Sequence, residues 1–188
     1  MAKMATLDDL LKDELKDIYS AEKQLIKALP KMVRRASSDE LRNALEEHLE
    51  VTKRQAQRIE QVFETLGEKA KSKTCEAMKG IIEEAEDMMD EDAEDSVMDA
   101  AIIGCAQKVE HYEIASYGTV KTWAEQIGNN QAARLLDQTL QEEGEADKRL
   151  TSLAESWVNQ QAEAGESGSR ATSFSPGRKS AGVRNRRR

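Results

Sequence analysis

Apolar residues recur at 3.6-residue spacing over four long stretches of this chain, and that periodicity constrains the fold more than any other feature. The first stretch runs from about Thr6 to Ala36, with Leu11, Leu15, Ile18, Leu25, Leu29 and Val33 on one face. Pro30 falls inside it and predicts a kink near its end. Ser37 and Glu40 form an S-x-x-E signature that starts a second helix, whose stripe is Leu41, Leu45, Leu49, Thr52, Ala56, Ile59, Phe63 and Leu66. Gly67 predicts its stop. A third long helix is expected from about Ser96 to Ile127, ended by Gly128. A fourth, capped by Asn129 or Asn130, is expected to run to about Ala164.

Between the second and third long helices lie a polar connection, a shorter helix from Cys75 to about Met89, and the acidic run DEDAED. The run lacks the glycine and final glutamate of a calcium-binding EF-hand loop and reads as a solvated turn. Short links elsewhere demand antiparallel neighbours, whereas this one is long enough to cross over, as in ferritin-like bundles. The expected fold is therefore all-α: a ferritin-like antiparallel four-helix bundle over residues 1–164, with a short additional helix in the second-to-third connection.

Charge divides the chain in the same place. Residues 1–164 carry 21 Lys and Arg against 35 Asp and Glu, and residues 165–188 carry 7 against 1. The Gly/Ser/Arg-rich segment 165–188 has little to bury and reads as a disordered basic tail. Its clustered arginines suit sequence-independent contact with nucleic acid phosphates, while folding back on the acidic bundle is the simpler expectation. No apolar run reaches the roughly 20 residues of a membrane span, and the N-terminus lacks the apolar core of a secretory signal, so a cytoplasmic location is expected. Cys75 and Cys105 show no metal-type spacing and read as free thiols.

Polar residues on the core-facing stripes carry the chemistry. Glu110 and Glu113 lie in the sector of Ile102, Ala106, Val109, Tyr117 and Val120. Glu22 lines up with Leu15, Ile18, Leu25 and Leu29, and Glu143 and Asp147 interrupt the fourth stripe near its middle. Ionised carboxylates converging in a low-dielectric core need cations or protons to neutralise them. Pairs of metal ions bridged by carboxylates inside four-helix bundles meet that need, and iron or manganese suits such ligands. Acids spaced in this way also line solvated faces, so no single residue carries the assignment. In the second helix Glu46, Glu47 and Glu50 point away from the stripe, leaving His48 as its one candidate ligand. His111 is expected at the surface.

The stretches IYSAEKQLIKALPKM, EEHLEVT, AAIIGCAQKVEHYEIASYGTVKTWAEQIG and LLDQTLQEEGEADKRLTSLA resemble the YciF-type ferritin-like stress proteins of bacteria over about residues 6–160. That resemblance implies a homodimer and a rubrerythrin-like dimetal site, and it assigns Glu22, Glu110, Glu113, Glu143 and Asp147 to the site. It also implies a second consecutive acid after Glu50, where this chain has Val51. Two readings follow. One is a dimetal oxidoreductase reducing oxygen or peroxide, with Tyr19 or Tyr117 as a nearby electron donor. The other is a metal-holding or scaffolding stress protein without turnover, which the loss of an acid at Val51 favours.

Overall fold

The structure, a computed structural model, describes residues 4–171. It is helical throughout: α1 spans Leu7–Arg35, α2 Asp39–Thr65, α3 Glu76–Met89, α4 Asp95–Gln126 and α5 Asn130–Leu153. A π-helical turn, Ala154–Val158, joins α5 to α6, Asn159–Ala171. The expected end of the fourth helix near Ala164 therefore falls inside α6. The basic segment beyond Ala171, with its nucleic-acid reading, lies outside the described residues. α1 runs through Pro30 without a break.

Local chemistry places the helix ends. Thr6 and Asp9 form a reciprocal capping box at the start of α1. α2 is capped by Ser38 rather than Ser37: the Ser38 hydroxyl accepts from the Leu41 amide at 3.1 Å. Ser37 is instead taken by Asp99 of α4, whose carboxylate accepts from Ser37 N (2.8 Å), Ser37 Oγ (2.7 Å) and Ser38 N (2.9 Å). A contact from another helix thus shifts the cap by one residue, which local spacing could not foretell. Gly67 and Gly128, at φ 69° and 80°, supply the left-handed residues that end α2 and α4.

α1 packs on α2 and α4, and α5 packs on α2 and α4, so the bundle runs α1–α2–α5–α4 around its axis. α3 covers α1 and α4. One core cluster gathers Leu11 and Leu15 from the start of α1, Phe63 from the end of α2, Val120 from late α4 and Ala132 from early α5. The other gathers Leu29 and Met32, Leu41 and Leu45, Met98 and Ile102, and Leu150 from the opposite helix ends. Adjacent helices are therefore antiparallel, with α1 parallel to α5 and α2 parallel to α4 across the diagonals. The link from α2 to α4 must travel the length of the bundle, which is the task of the segment holding α3. Between the two apolar clusters lies a belt of buried polar groups.

Candidate metal centre

Every main helix contributes to that belt. Glu22 of α1 and Glu143 of α5 are 0 % exposed, and Glu110 and Glu113 of α4 are each 2 % exposed. Residues 110 and 113 share a face because three residues make nearly one helical turn. His48 of α2 points its Nε2 at Glu110 Oε1, 3.3 Å away, with Glu143 Oε2 at 3.9 Å. Ligand-type atoms of His48, Glu110, Glu113 and Glu143 all lie within 4.8 Å of one another.

Burial governs the protonation of this group. Loss of hydration pushes the carboxyls of Glu22, Glu110 and Glu113 well above the usual carboxylate range, and the charges of their neighbours push them further. Glu143 is raised by burial to about 7, held back by the hydrogen bond from Gln55 and the charge of Arg58. Burial lowers His48 to about 4, so near neutral pH its imidazole is uncharged. Without an added cation, the belt is kept neutral largely by protons.

Hydrogen bonding leaves the cluster incomplete. Glu22 Oε2, His48 Nε2, Glu110 Oε2, Glu113 Oε1 and Glu143 Oε2 are buried with no hydrogen-bond partner among the described residues. Buried polar atoms in native proteins are nearly always satisfied. Here several converge, and they are an imidazole nitrogen and carboxylate oxygens. That donor set fits iron or manganese.

The sequence-derived candidates divide. His48, Glu110, Glu113 and Glu143 come together. Glu22 is outside that tightest group but adjoins it: its charge raises the Glu113 carboxyl, and its Oε1 accepts a hydrogen bond from the Tyr117 hydroxyl. Asp147 is not drawn in. Its Oδ1 accepts from Gln107 Nε2 at 3.1 Å and lies 3.3 Å from Nε2 of the exposed His111. Its partial exposure allows it to be solvated in place. Of the two tyrosine candidates, only Tyr117 reaches the cluster; Tyr19 donates to Glu60 and packs edge-on against Phe63.

Sequence reasoning missed the residues that support the ligands. The buried amide of Gln55 donates to Glu143 Oε1 and, at 3.2 Å, to Glu142 Oε2. Arg58 pairs with Glu142 at 2.8 and 2.9 Å and donates to Thr139 Oγ1 at 2.6 Å. Their signal was position: Gln55 lies two helical turns after His48, on the same face. Val51, one turn after His48, adds no ligand and lines a cavity of about 240 Å³ with His48 and Glu110 on its wall.

Comparisons with known proteins agree with this architecture. The model of the family described as "Domain of unknown function (DUF892)" matches residues 6–163. Protein YciF of Escherichia coli (strain K12) is 50% identical over 161 residues, covering 85% of this chain and 97% of that protein. The crystal structure of this E. coli stress protein superposes with a TM-score of 0.80, covering 83% of this chain and 99% of that one. YcfI of Rhodopseudomonas palustris is 45% identical with a TM-score of 0.78, over 80% of this chain and 96% of that one. A two-domain protein of Anabaena variabilis with a ferritin-like domain shares the fold at 15% identity and a TM-score of 0.52, over 96% of this chain and 42% of that one. No described helix is long and apolar enough to cross a membrane. Sequence and fold together show that the chain belongs to the DUF892 family, that of the YciF-type ferritin-like proteins.

Proposed function

We propose that the polar belt is a metal centre holding one or two iron or manganese ions, in a cytoplasmic, homodimeric protein that serves the stress response. The observation that carries this reading is the convergence of buried, unpartnered imidazole and carboxylate atoms from α2, α4 and α5. His48, Glu110, Glu113 and Glu143 would hold the first ion, and Glu22 stands beside them for a second. A bound iron or manganese ion would supply one-electron redox chemistry toward oxygen or peroxide. The chain's own groups prepare the place: Gln55 orients Glu143, Tyr117 orients Glu22, and the apolar clusters at both ends exclude bulk water. The stress role is supported by the likeness to E. coli YciF, itself described as a stress protein.

Val51 favours a second reading, metal holding without turnover. Its apolar side chain stands where an acid would add a ligand, leaving the α2 side of the cluster with His48 alone.

The test is retention of metal. Protein loaded anaerobically with ferrous or manganous ion and desalted should keep one or two ions per chain. Glu110→Gln combined with Glu113→Gln keeps the packing and should lower retention by at least about tenfold. Equal retention by both proteins, or none by the natural chain, overturns the proposal.

A further inference from the structure

His48 stands between the polar belt and solvent. Its Nε2 faces inward, 3.3 Å from Glu110 Oε1, while the residue also lines the inner end of the cavity of about 240 Å³ between α2 and α5. The His48 side chain keeps 11 % exposure, against 2 % for Glu110 and none for Glu22 and Glu143. Other sides of the belt are covered more fully. Apolar clusters fill both ends, α3 lies over α1 and α4, and between α4 and α5 the Gln107 amide bridges Asp147 and Thr151 at 3.1 and 2.8 Å. The outer end of the cavity is acidic: Glu47, Glu142 and Glu145 line it with a single cation, Arg149. Arg58 pairs with Glu142 and Arg149 with Glu47, which leaves Glu145 without an ion-pair partner among the described residues. The Arg149–Glu47 pair is exposed and ties α5 to α2 at the mouth.

We infer that this cavity is the route by which a hydrated divalent cation enters and leaves the metal centre, with Glu145 drawing the ion to the mouth and the Arg149–Glu47 pair acting as a strap across the path. The volume equals about eight waters of liquid, room for an ion that still carries an octahedral shell of water. At the mouth the unpaired carboxylate attracts a cation and the guanidinium repels it, so Glu145 favours approach and Arg149 opposes it. Between mouth and belt the walls are apolar, among them Val51 and Ala146, and offer the ion no ligand at which to stop. An acid at position 51 would hold it midway. At the inner end the ion meets His48, whose turn about its side-chain bonds opens the way to the cluster without movement of a helix.

The inference rests on the metal-centre reading for the ion that travels, and deepens it by naming the path. A route differs from a ligand in a measurable way. Narrowing or widening it changes the rates of uptake and release by the same factor and leaves affinity unchanged, because the free and bound states are untouched. Loss of a ligand changes affinity itself.

The experiment follows manganous ion and the full chain, with uptake read from loss of the free-ion EPR signal and release from transfer to excess chelator. Ala146→Leu fills the cavity from α5 and should slow uptake and release alike by at least about tenfold, with Kd held within about twofold and helical content checked by circular dichroism. Arg149→Ala should speed release by about threefold or more, the opposite of what loss of a positive charge alone does to a bound cation. Glu145→Gln should slow uptake and reduce its decline with added salt. A second arm needs no metal. His48 and His111 are the chain's two histidines, and His111 is exposed. In the chelator-treated chain diethyl pyrocarbonate should acylate His111 first and His48 more slowly. Ala146→Leu should slow the His48 reaction and Arg149→Ala speed it, with His111 as the unchanged reference. Manganese kinetics indifferent to the folded variants, a shift in Kd in place of matched rates, or faster exchange in Asp147→Asn alone, which would put the path between α4 and α5, overturns the route. So does a His48 acylation rate that neither variant moves, whether or not metal binds. A natural chain that takes up no manganese overturns the metal-centre reading and the ion's passage with it, whereas binding with unaltered kinetics overturns the route alone.

Discussion

Gln55 shows how much one side chain can contribute to a buried cluster. Its amide nitrogen spans Glu142 and Glu143, so the carboxylate that faces the cluster is tied to the one paired with Arg58 outside it. The bond occupies Glu143 Oε1 and leaves Oε2 turned inward without a partner. Orientation of a ligand by such a supporting hydrogen bond typically changes metal affinity by 10–100-fold. Gln55→Leu is accordingly expected to weaken ferrous or manganous binding by about that factor while the helical content persists. The same change removes a group that lowers the Glu143 carboxyl, which should titrate at higher pH in the metal-free variant. Competition against a chelator of known affinity measures the first effect, and unchanged affinity would show that Gln55 orients nothing.

At the level of elements, the register of α2 decides where His48 falls, and that register is secured from outside the helix. Asp99 of α4 is 1 % exposed and accepts three hydrogen bonds from the Ser37–Ser38 corner. It therefore clamps the start of α2 to α4, the helix that carries Glu110 and Glu113. Removing the carboxylate by Asp99→Ala strands the buried Ser38 amide, while the exposed Ser37 amide and hydroxyl turn to water, at an expected cost of about 1–3 kcal/mol. Urea unfolding of natural and variant chains checks this, with a loss below about 0.5 kcal/mol counting against the clamp. At α3 the cap is Cys75, whose sulfur accepts from the Met78 amide at 3.3 Å and lies 3.0 Å from the Tyr112 hydroxyl. Both cysteines are free thiols, as their spacing suggested.

For the molecule as a whole, two apolar clusters enclose a belt that is costly to ionise, which makes stability depend on pH. Raised carboxyls favour the folded state at low pH, and their contribution is lost as pH climbs from the ordinary carboxylate range through their folded values. Glu143 passes through its folded value near 7, and Glu22, Glu110 and Glu113 are raised in the same direction by burial and by one another's charge. His48 has the opposite sign: lowered to about 4, it contributes stability above its ordinary value near 6.5 and loses it as pH falls toward 4. Above about pH 7.5 the imidazole is almost wholly neutral in both states, and just below that the several carboxyls outweigh this one group. The metal-free protein should therefore lose stability as pH rises through about 7, by about 1.4 kcal/mol per pH unit for each carboxyl still protonated when folded. A bound divalent ion favours the ionised carboxylates and should flatten or reverse the trend. Melting curves across that rise in pH, with and without metal, give the answer; stability constant or rising with pH in the metal-free chain would contradict the protonated belt.

Periodicity, capping residues and glycines determined the helices and most of their ends, because these depend on contacts within a few residues along the chain. The stripe positions likewise marked Glu22, His48, Glu110, Glu113 and Glu143 as core-facing, since helical geometry alone sets the direction of a side chain. Tertiary structure decided the rest. Only the packing of α4 against the α1–α2 corner moved the cap of α2 from Ser37 to Ser38. Only the meeting of α2 with α5 brought Gln55 and Arg58 to Glu142 and Glu143, residues more than eighty positions away in the chain. Asp147 shares a stripe with Glu143, yet Gln107 and His111 of α4 hold it toward the outside. A helical stripe spans a wide arc, and which part of it becomes dry interior depends on the helices set against it.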